Sequence, residues 1–136
     1  MSYAAVSKQS TRYREAEVDS ASPGQLVLII YDHVLVNLSR ARLRLADIDG
    51  AARSDALDRA RAGVTELLVT LDRDRGGELA GGLGSLYMFW LGELSILGVK
   101  PNATRLDAII HMVTELRAAF AEAVVLATPA ASRAVS

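Results

Sequence analysis

Residues 19–34 read DSASPGQLVLIIYDHV. Ser22 supplies an N-cap hydroxyl, and Pro23 stands at the first helical position with its φ already set. Gln25, three residues after Ser22, completes a capping box. Six apolar or aromatic residues then follow without a break, Leu26 to Tyr31. A helix packed on one side needs only about three or four apolar residues per two turns. Part of this helix's apolar surface therefore needs a cover beyond its own core line.

Outward from this stretch, four segments carry helical periodicity and none shows sustained alternation of period two. The first is expected over Pro23 to Ile48, with Val27, Ile30, Tyr31, Val34, Leu38, Ala41, Leu45 and Ile48 in line and Gly50 as the stop. The second is expected from Asp55, capped by Ser54, to near Arg75, with Leu57, Ala60, Val64, Leu67, Leu68 and Leu71 as its stripe. Gly76 and Gly77 end it. The third is expected from Glu78 to Leu97 on the line Leu79, Leu83, Leu86, Trp90, Leu94 and Leu97, closed by Gly98 and Pro101. The fourth starts near Asn102 or Thr104 and runs to about Leu126, with Leu106, Ile109, Ile110, Val113, Leu116, Phe120 and Val124 in line. Short connections between long helices favour antiparallel neighbours. The expected fold is all-α, an antiparallel up-down-up-down four-helix bundle over 21–127. A loosely ordered N-terminal segment of residues 1–20 precedes it, and a disordered tail, 128–136, follows it.

Composition narrows the function. The chain has 136 residues, one domain's worth, with 51% hydrophobic and 23% charged residues, which is globular rather than disordered. Fifteen basic and 16 acidic residues are interspersed and leave a net charge of −1. That balance gives no electrostatic basis for binding nucleic acid or an anionic membrane. There is no cysteine, which rules out disulfides, thiolate metal sites and cysteine nucleophiles and fits a reducing cytosol. The N-terminus has no apolar signal region, and no apolar run is expected to reach the length of a membrane span.

Chemical motifs are absent. Neither His33 nor His111 has the glutamate three residues earlier that a di-iron bundle uses. GGLGSLY, residues 81–87, lacks the spacing of either phosphate-binding glycine loop and of a serine nucleophile elbow. Asp72, Asp74 and Glu78 lack the spacing of a calcium loop. No catalytic residue, metal ligand or cofactor is expected.

What remains is surplus apolar surface. At 100° per residue, Ile29, Val36 and Leu43 form a second strip nearly opposite the core line, flanked by Asp32, Arg40 and Asp47. In the third helix, Met88, Phe89 and Ile96 lie outside the core line, beside a face of small residues that includes Gly81, Gly84, Gly92 and Ser95. In the fourth, Ala108, Met112, Ala119 and Leu126 run beside the core stripe. Small residues admit a close backbone and methionine adapts to irregular partners, which suits an incoming amphipathic helix. On the residues alone, the cover is a partner helix, the chain's own tail or a second copy.

Three stretches then resemble a known family. Tyr13, Val18, Ala21-Ser22-Pro23, Leu26 and Tyr31-Asp32 are similar to one of its motif runs. So is LDRDRGGELAGGLGSLYMF, residues 71–89, and so is ELRAAF, residues 115–120. Together they cover roughly residues 13–124 and resemble the flagellar secretion chaperone FliS family. His33 stands where members usually have Gly, Asp74 replaces a Glu, Gly82 an Asn and Phe120 a Trp. The resemblance implies a cytosolic binding protein without cofactor or metal. Such a protein holds the C-terminal segment of flagellin one-to-one and presents it to the flagellar type III export gate. The residues assigned to partner binding are Tyr13, Val18, Ile29, Val36, Leu43, Gly84, Met88, Phe89, Gly92, Ile96 and Met112, with no nucleic acid or membrane insertion. The N-terminal segment is expected to shield part of the groove until the client arrives. The competing readings are an adaptor of another secretion system and a structural homodimer.

Overall fold

The computed structural model describes residues 22–71 and 73–127, with side chains from residue 77 onward in the second stretch. Among the described residues there are four helices: α1 (Pro23–Leu43), α2 (Ala51–Thr70), α3 (Arg73–Val99) and α4 (Ala103–Ala127). They pack as a bundle in which α1 meets α2 and α4, α2 meets α3, and α3 meets α4. The segments 1–20 and 128–136, with Tyr13 and Val18, lie outside the described residues.

The start of α1 matches its sequence signals. Ser22 Oγ accepts the Gln25 N–H at 3.2 Å and Gln25 Oε1 accepts the Ser22 N–H at 3.0 Å. Its end comes earlier than periodicity suggests. The Arg53 guanidinium, from α2, donates to the carbonyls of Arg44, Leu45 and Asp47 at 3.2–3.4 Å. Carbonyls left over at the helix end are thereby satisfied by a neighbouring element, and the chain turns. Ile48, placed in the core line by spacing, is fully exposed. Gly50 lies directly beneath the Arg53 side chain, where a Cβ would collide with it.

α2 begins at Ala51 rather than Asp55. The Ser54 N–H donates to the Gly50 carbonyl at 2.8 Å, so Ser54 belongs to the first turn instead of capping it. α2 ends at Thr70, and Leu71 is already extended with ψ 124°. The glycine pair does not close α2; it falls near the start of α3, where Gly77 breaks the helix at φ 56°, ψ −130°. That left-handed φ is open to glycine at little cost and strained for residues with a Cβ. At the last helix the choice of cap falls on Asn102, whose Oδ1 accepts the Arg105 N–H at 2.9 Å.

Side-chain pairs set the register. Arg42–Asp107 at 2.8 Å and Arg117–Asp32 at 3.0 Å run α1 and α4 in opposite directions. Gly63 of α2 faces Val34 and His33, while Arg53 reaches the end of α1, so these two helices also run oppositely. A Cβ at Gly63 would lie 2.6 Å from Val34 Cγ2, so glycine permits the close approach of α1 and α2. Exposed ion pairs of this kind contribute only about 0–1 kcal/mol each; burial supplies the stability. Tyr31, Val34, Leu38, Leu57, Val64, Leu67, Tyr87, Trp90, Leu94, Leu106, Ile109 and Val113 are all buried in one cluster.

The core line of α3 is as expected at Trp90, Leu94 and Leu97, with Leu83 and Leu86 packed against the core, and departs from expectation at its start. Ala80, Gly84 and Tyr87 point inward, and Leu79 is exposed. The line through Leu79 and the line through Ala80 are adjacent and both apolar, so composition does not choose between them. Gly77–Val99 is also long and apolar enough to cross a membrane by composition, with mean hydropathy 1.3, contrary to the expectation that no apolar run reaches that length. In the bundle, its Trp90, Leu94 and Leu97 are packed in the protein core.

Inside the core, the Tyr31 and Tyr87 hydroxyls share a hydrogen bond at 2.6 Å, with the rings edge-on. Burial holds both phenols above the ordinary tyrosine range; the shared bond raises Tyr31 further and partly offsets the rise at Tyr87. A pKa raised in the folded state means stability is intact below the unfolded tyrosine pKa, near 10, and falls as pH rises above it. Each buried phenol steepens that fall by up to about 1.4 kcal/mol per pH unit. Tyr31→Phe removes one of the two. Denaturant midpoints measured between about pH 8 and 11 are expected to fall less steeply for Tyr31→Phe than for the parent. Parallel slopes would show that the Tyr31 phenol does not titrate differently on folding.

Candidate functional site

Among the described residues, two open recesses on the bundle surface adjoin the exposed apolar strips. The first, about 260 Å³, is walled by Ile29, Asp32, His33, Val36, Asn37 and Arg40 of α1 and by Arg59 of α2. Helical geometry brings the α1 residues onto one face, since residues three, four and seven apart stack along it. Ile29 is half-buried and Val36 is 49% exposed. Leu43, 83% exposed at the end of α1, is not among the residues that wall the recess. Asn37 donates its Nδ2 hydrogen to the His33 carbonyl at 2.9 Å, and its Oδ1 is buried without a hydrogen-bond partner. Asp32 is drawn toward α4 by Arg117, and Arg59 is held by Asp55 at 3.0 Å.

The second recess, about 310 Å³, lies between α3 and α4. It is lined by Phe89, Glu93, Asn102, Thr104, Arg105, Ala108, Ile109 and Met112. Glu93 and Arg105 form an ion pair at 3.0 Å across it, so that among the described residues the charges lining this groove neutralise each other. Phe89 is 50% exposed, and Met88, Ile96 and Val99 are exposed on the same helix. Gly81 and Gly92 add no bulk to the outer side of α3, where a Cβ at either would meet nothing within 4 Å. Ser85 and Ser95 donate their hydroxyls to the carbonyls of Gly81 and Leu91 in their own helix. The outer side of α3 thus offers few hydrogen-bonding groups and little side-chain relief.

The residues singled out from sequence separate into groups. Ile29 and Val36 share the first recess, and Phe89 and Met112 share the second. Met88, Gly92 and Ile96 lie on the exposed side of α3. Gly84 is a correction: it is buried in the chain rather than part of an outward small-residue face. Sequence reasoning did not identify Asn37, Arg59, Glu93 or Arg105 as groove residues. Arg59 belongs to another helix than the strip it flanks, so no spacing within one helix signals it, whereas Arg105 stands three and seven residues before Ala108 and Met112 on α4 and could have been found from that spacing.

The two glycines now carry opposite expectations. Gly84→Leu inserts bulk at a buried position and is expected to cost about 1–3 kcal/mol. Gly92→Leu enters open space and is expected to gain up to about 1 kcal/mol from helix propensity. Thermal melts of the two variants check this; equal shifts would show that the buried and exposed sides of α3 are wrongly placed.

Among the described residues, no three His, Asp or Glu side chains cluster closely enough to hold a metal. His111 pairs with Glu115 at 3.1 Å on the exposed side of α4. The phenols with shifted pKa, Tyr31 and Tyr87, belong to the core and line neither recess. Asp72 and the side chain of Asp74 lie outside the described residues.

Comparison with known proteins places this surface in context. The family described as flagellar protein FliS matches residues 6–127. The chain is 32% identical to the flagellar secretion chaperone FliS of Salmonella typhimurium, over 78% of this chain and 79% of that one. It is 29% identical to the Campylobacter jejuni chaperone of that name, over 81% of this chain and 86% of that one. For the Bacillus subtilis FliS the identity is 27%, over 88% of this chain and 89% of that one. A match spanning all four helices, on a bundle with exposed apolar strips, shows that the chain belongs to the FliS family of flagellar secretion chaperones, a chaperone family and not an enzyme family.

Proposed function

We propose that this protein holds the C-terminal segment of flagellin in the cytosol, one-to-one, and hands it to the export gate of the flagellar type III apparatus. The observation that carries this reading is the pair of open recesses beside exposed apolar side chains of α1 and α3. A recess of this shape suits an amphipathic helix laid lengthwise better than a small molecule, which needs most of its surface enclosed. Val36 anchors one strip and Phe89, with Met112 across the groove, anchors the other. A segment covered on its apolar side in this way cannot use that side to polymerise. Ile29, Leu43, Met88, Gly92 and Ile96 extend the two contact strips in this reading.

Co-purification with flagellin from the same organism tests the proposal, with flagellin lacking its last helical segment as control. A one-to-one complex with the full protein and none with the truncated one is expected. Capture of both alike, or of neither, overturns it. A stable dimer of the free chain that buries Val36 would instead favour a structural role.

A further inference from the structure

We propose that Arg40 reads a carboxylate on the segment that occupies the groove between α1 and α2, so that this groove selects an amphipathic helix with an acidic flank. The inference rests on the proposed function and adds to it the chemistry of one contact.

The arginines with described side chains are otherwise engaged. Arg42 pairs with Asp107, Arg44 with Asp47, Arg59 with Asp55 and Arg61 with Asp58. Arg105 pairs with Glu93 and Arg117 with Asp32. Arg53 donates to three carbonyls at the end of α1. Arg40 alone among them makes neither an ion pair nor a hydrogen bond, and it lines the first recess. Its place in the last turn of α1 suits the helix dipole, but that leaves the guanidinium's donors unused. Among the described residues, the one carboxylate walling this recess, Asp32, is taken by Arg117 through both oxygens, at 3.0 and 3.4 Å. The uncompensated charge of the groove, among the described residues, is therefore the Arg40 cation.

Spacing aligns it with the apolar strip. Ile29, Val36 and Arg40 fall on one side of α1, and Arg40 follows Val36 by about 6 Å along the axis. A helix seated on Ile29 and Val36 passes Arg40 about one turn farther on. A carboxylate there would form charge-assisted, bidentate hydrogen bonds, strengthened as the docked helix excludes water. The α3–α4 groove differs, because its Glu93 and Arg105 neutralise each other. The two grooves therefore distinguish an acidic-flanked segment from an uncharged one.

The test uses the full chain and two peptides: the flagellin C-terminal segment, and the same peptide with its Asp and Glu replaced by Asn and Gln. Affinity is read by fluorescence anisotropy at low and high salt, for the parent and for Arg40→Gln. The amide peptide is expected to bind the parent about tenfold more weakly than the acidic one, with Arg40→Gln losing about the same for the acidic peptide. The losses should not add: Arg40→Gln should bind both peptides alike, with an unchanged melting temperature. Parent and variant binding the acidic peptide equally overturns the inference and leaves the proposed function standing. Tighter binding by Arg40→Gln overturns it too, since Arg40 would then be held by the chain itself. So does a dimer that dissociates on Arg40→Gln, which makes a second copy the occupant. Failure of the acidic peptide to bind the parent at all overturns both readings.

Discussion

Val36→Asp is expected to keep the melting temperature of the parent and to weaken capture of the flagellin C-terminal segment by about a hundredfold. In the free protein Val36 is 49% exposed, so a carboxylate at that position stays in water. Beneath a docked apolar helix it would be stripped of water, at a cost on the order of 3 kcal/mol, and each 1.4 kcal/mol is a factor of ten in affinity. Arg40, four residues on, would pair with the new carboxylate. Such an i,i+4 pair stabilises the free helix by a few tenths of a kcal/mol, and it also removes Arg40 from any contact with the client. Both effects weaken binding. Calorimetric titration with the segment, alongside a thermal melt, separates the outcomes. A collapse in melting temperature would show that Val36 belongs to the core, and unchanged affinity would show that the client does not lie on α1.

Tyr31→Ala is expected to do the reverse: it should cost about 3–5 kcal/mol of stability, the range for deleting a buried aromatic ring. Tyr31 is fully buried, edge-on to Tyr87 and 5.4 Å from Phe120. Removing it empties the junction of three helices, because Tyr31 is on α1, Tyr87 on α3 and Phe120 on α4. It also removes the Tyr31 hydroxyl, which the Tyr87 hydroxyl hydrogen-bonds at 2.6 Å. For a chain of this size the melting temperature should drop by about 10 °C or more. Tyr31→Phe, which keeps the ring and loses only the hydroxyl, should cost no more than about 1–3 kcal/mol. Denaturant melts of the pair at neutral pH check the ranking. Equal losses would mean that the hydroxyl pair, not ring packing, holds the junction.

Much of the molecule was legible in the chain before any packing was seen. Helix caps close within three or four residues, so Ser22–Gln25 and Asn102 could be read as helix starts; both make the expected bonds. The apolar lines of α1 from Ile30 to Ala41, of α2 from Leu57 to Leu67 and of α4 from Leu106 to Val113 supply buried residues. The outward placement of Val36 and Leu43 also followed from spacing, because polar residues flank that strip and leave a single apolar side for the core.

Other features depended on neighbours distant in sequence. α1 stops at Leu43 because Arg53, on the next helix, satisfies the carbonyls beyond it. α3 is apolar on adjacent lines, so its phase was settled by what it packs against: Tyr87 meets Tyr31 of α1, Gly84 turns inward and Leu79 outward. The grooves likewise form between helices, and the identity of their charges depends on which arginine each aspartate reaches. A cap is a bond between near neighbours and is written locally, whereas a groove and its unpaired Arg40 exist only once separate helices have been brought side by side.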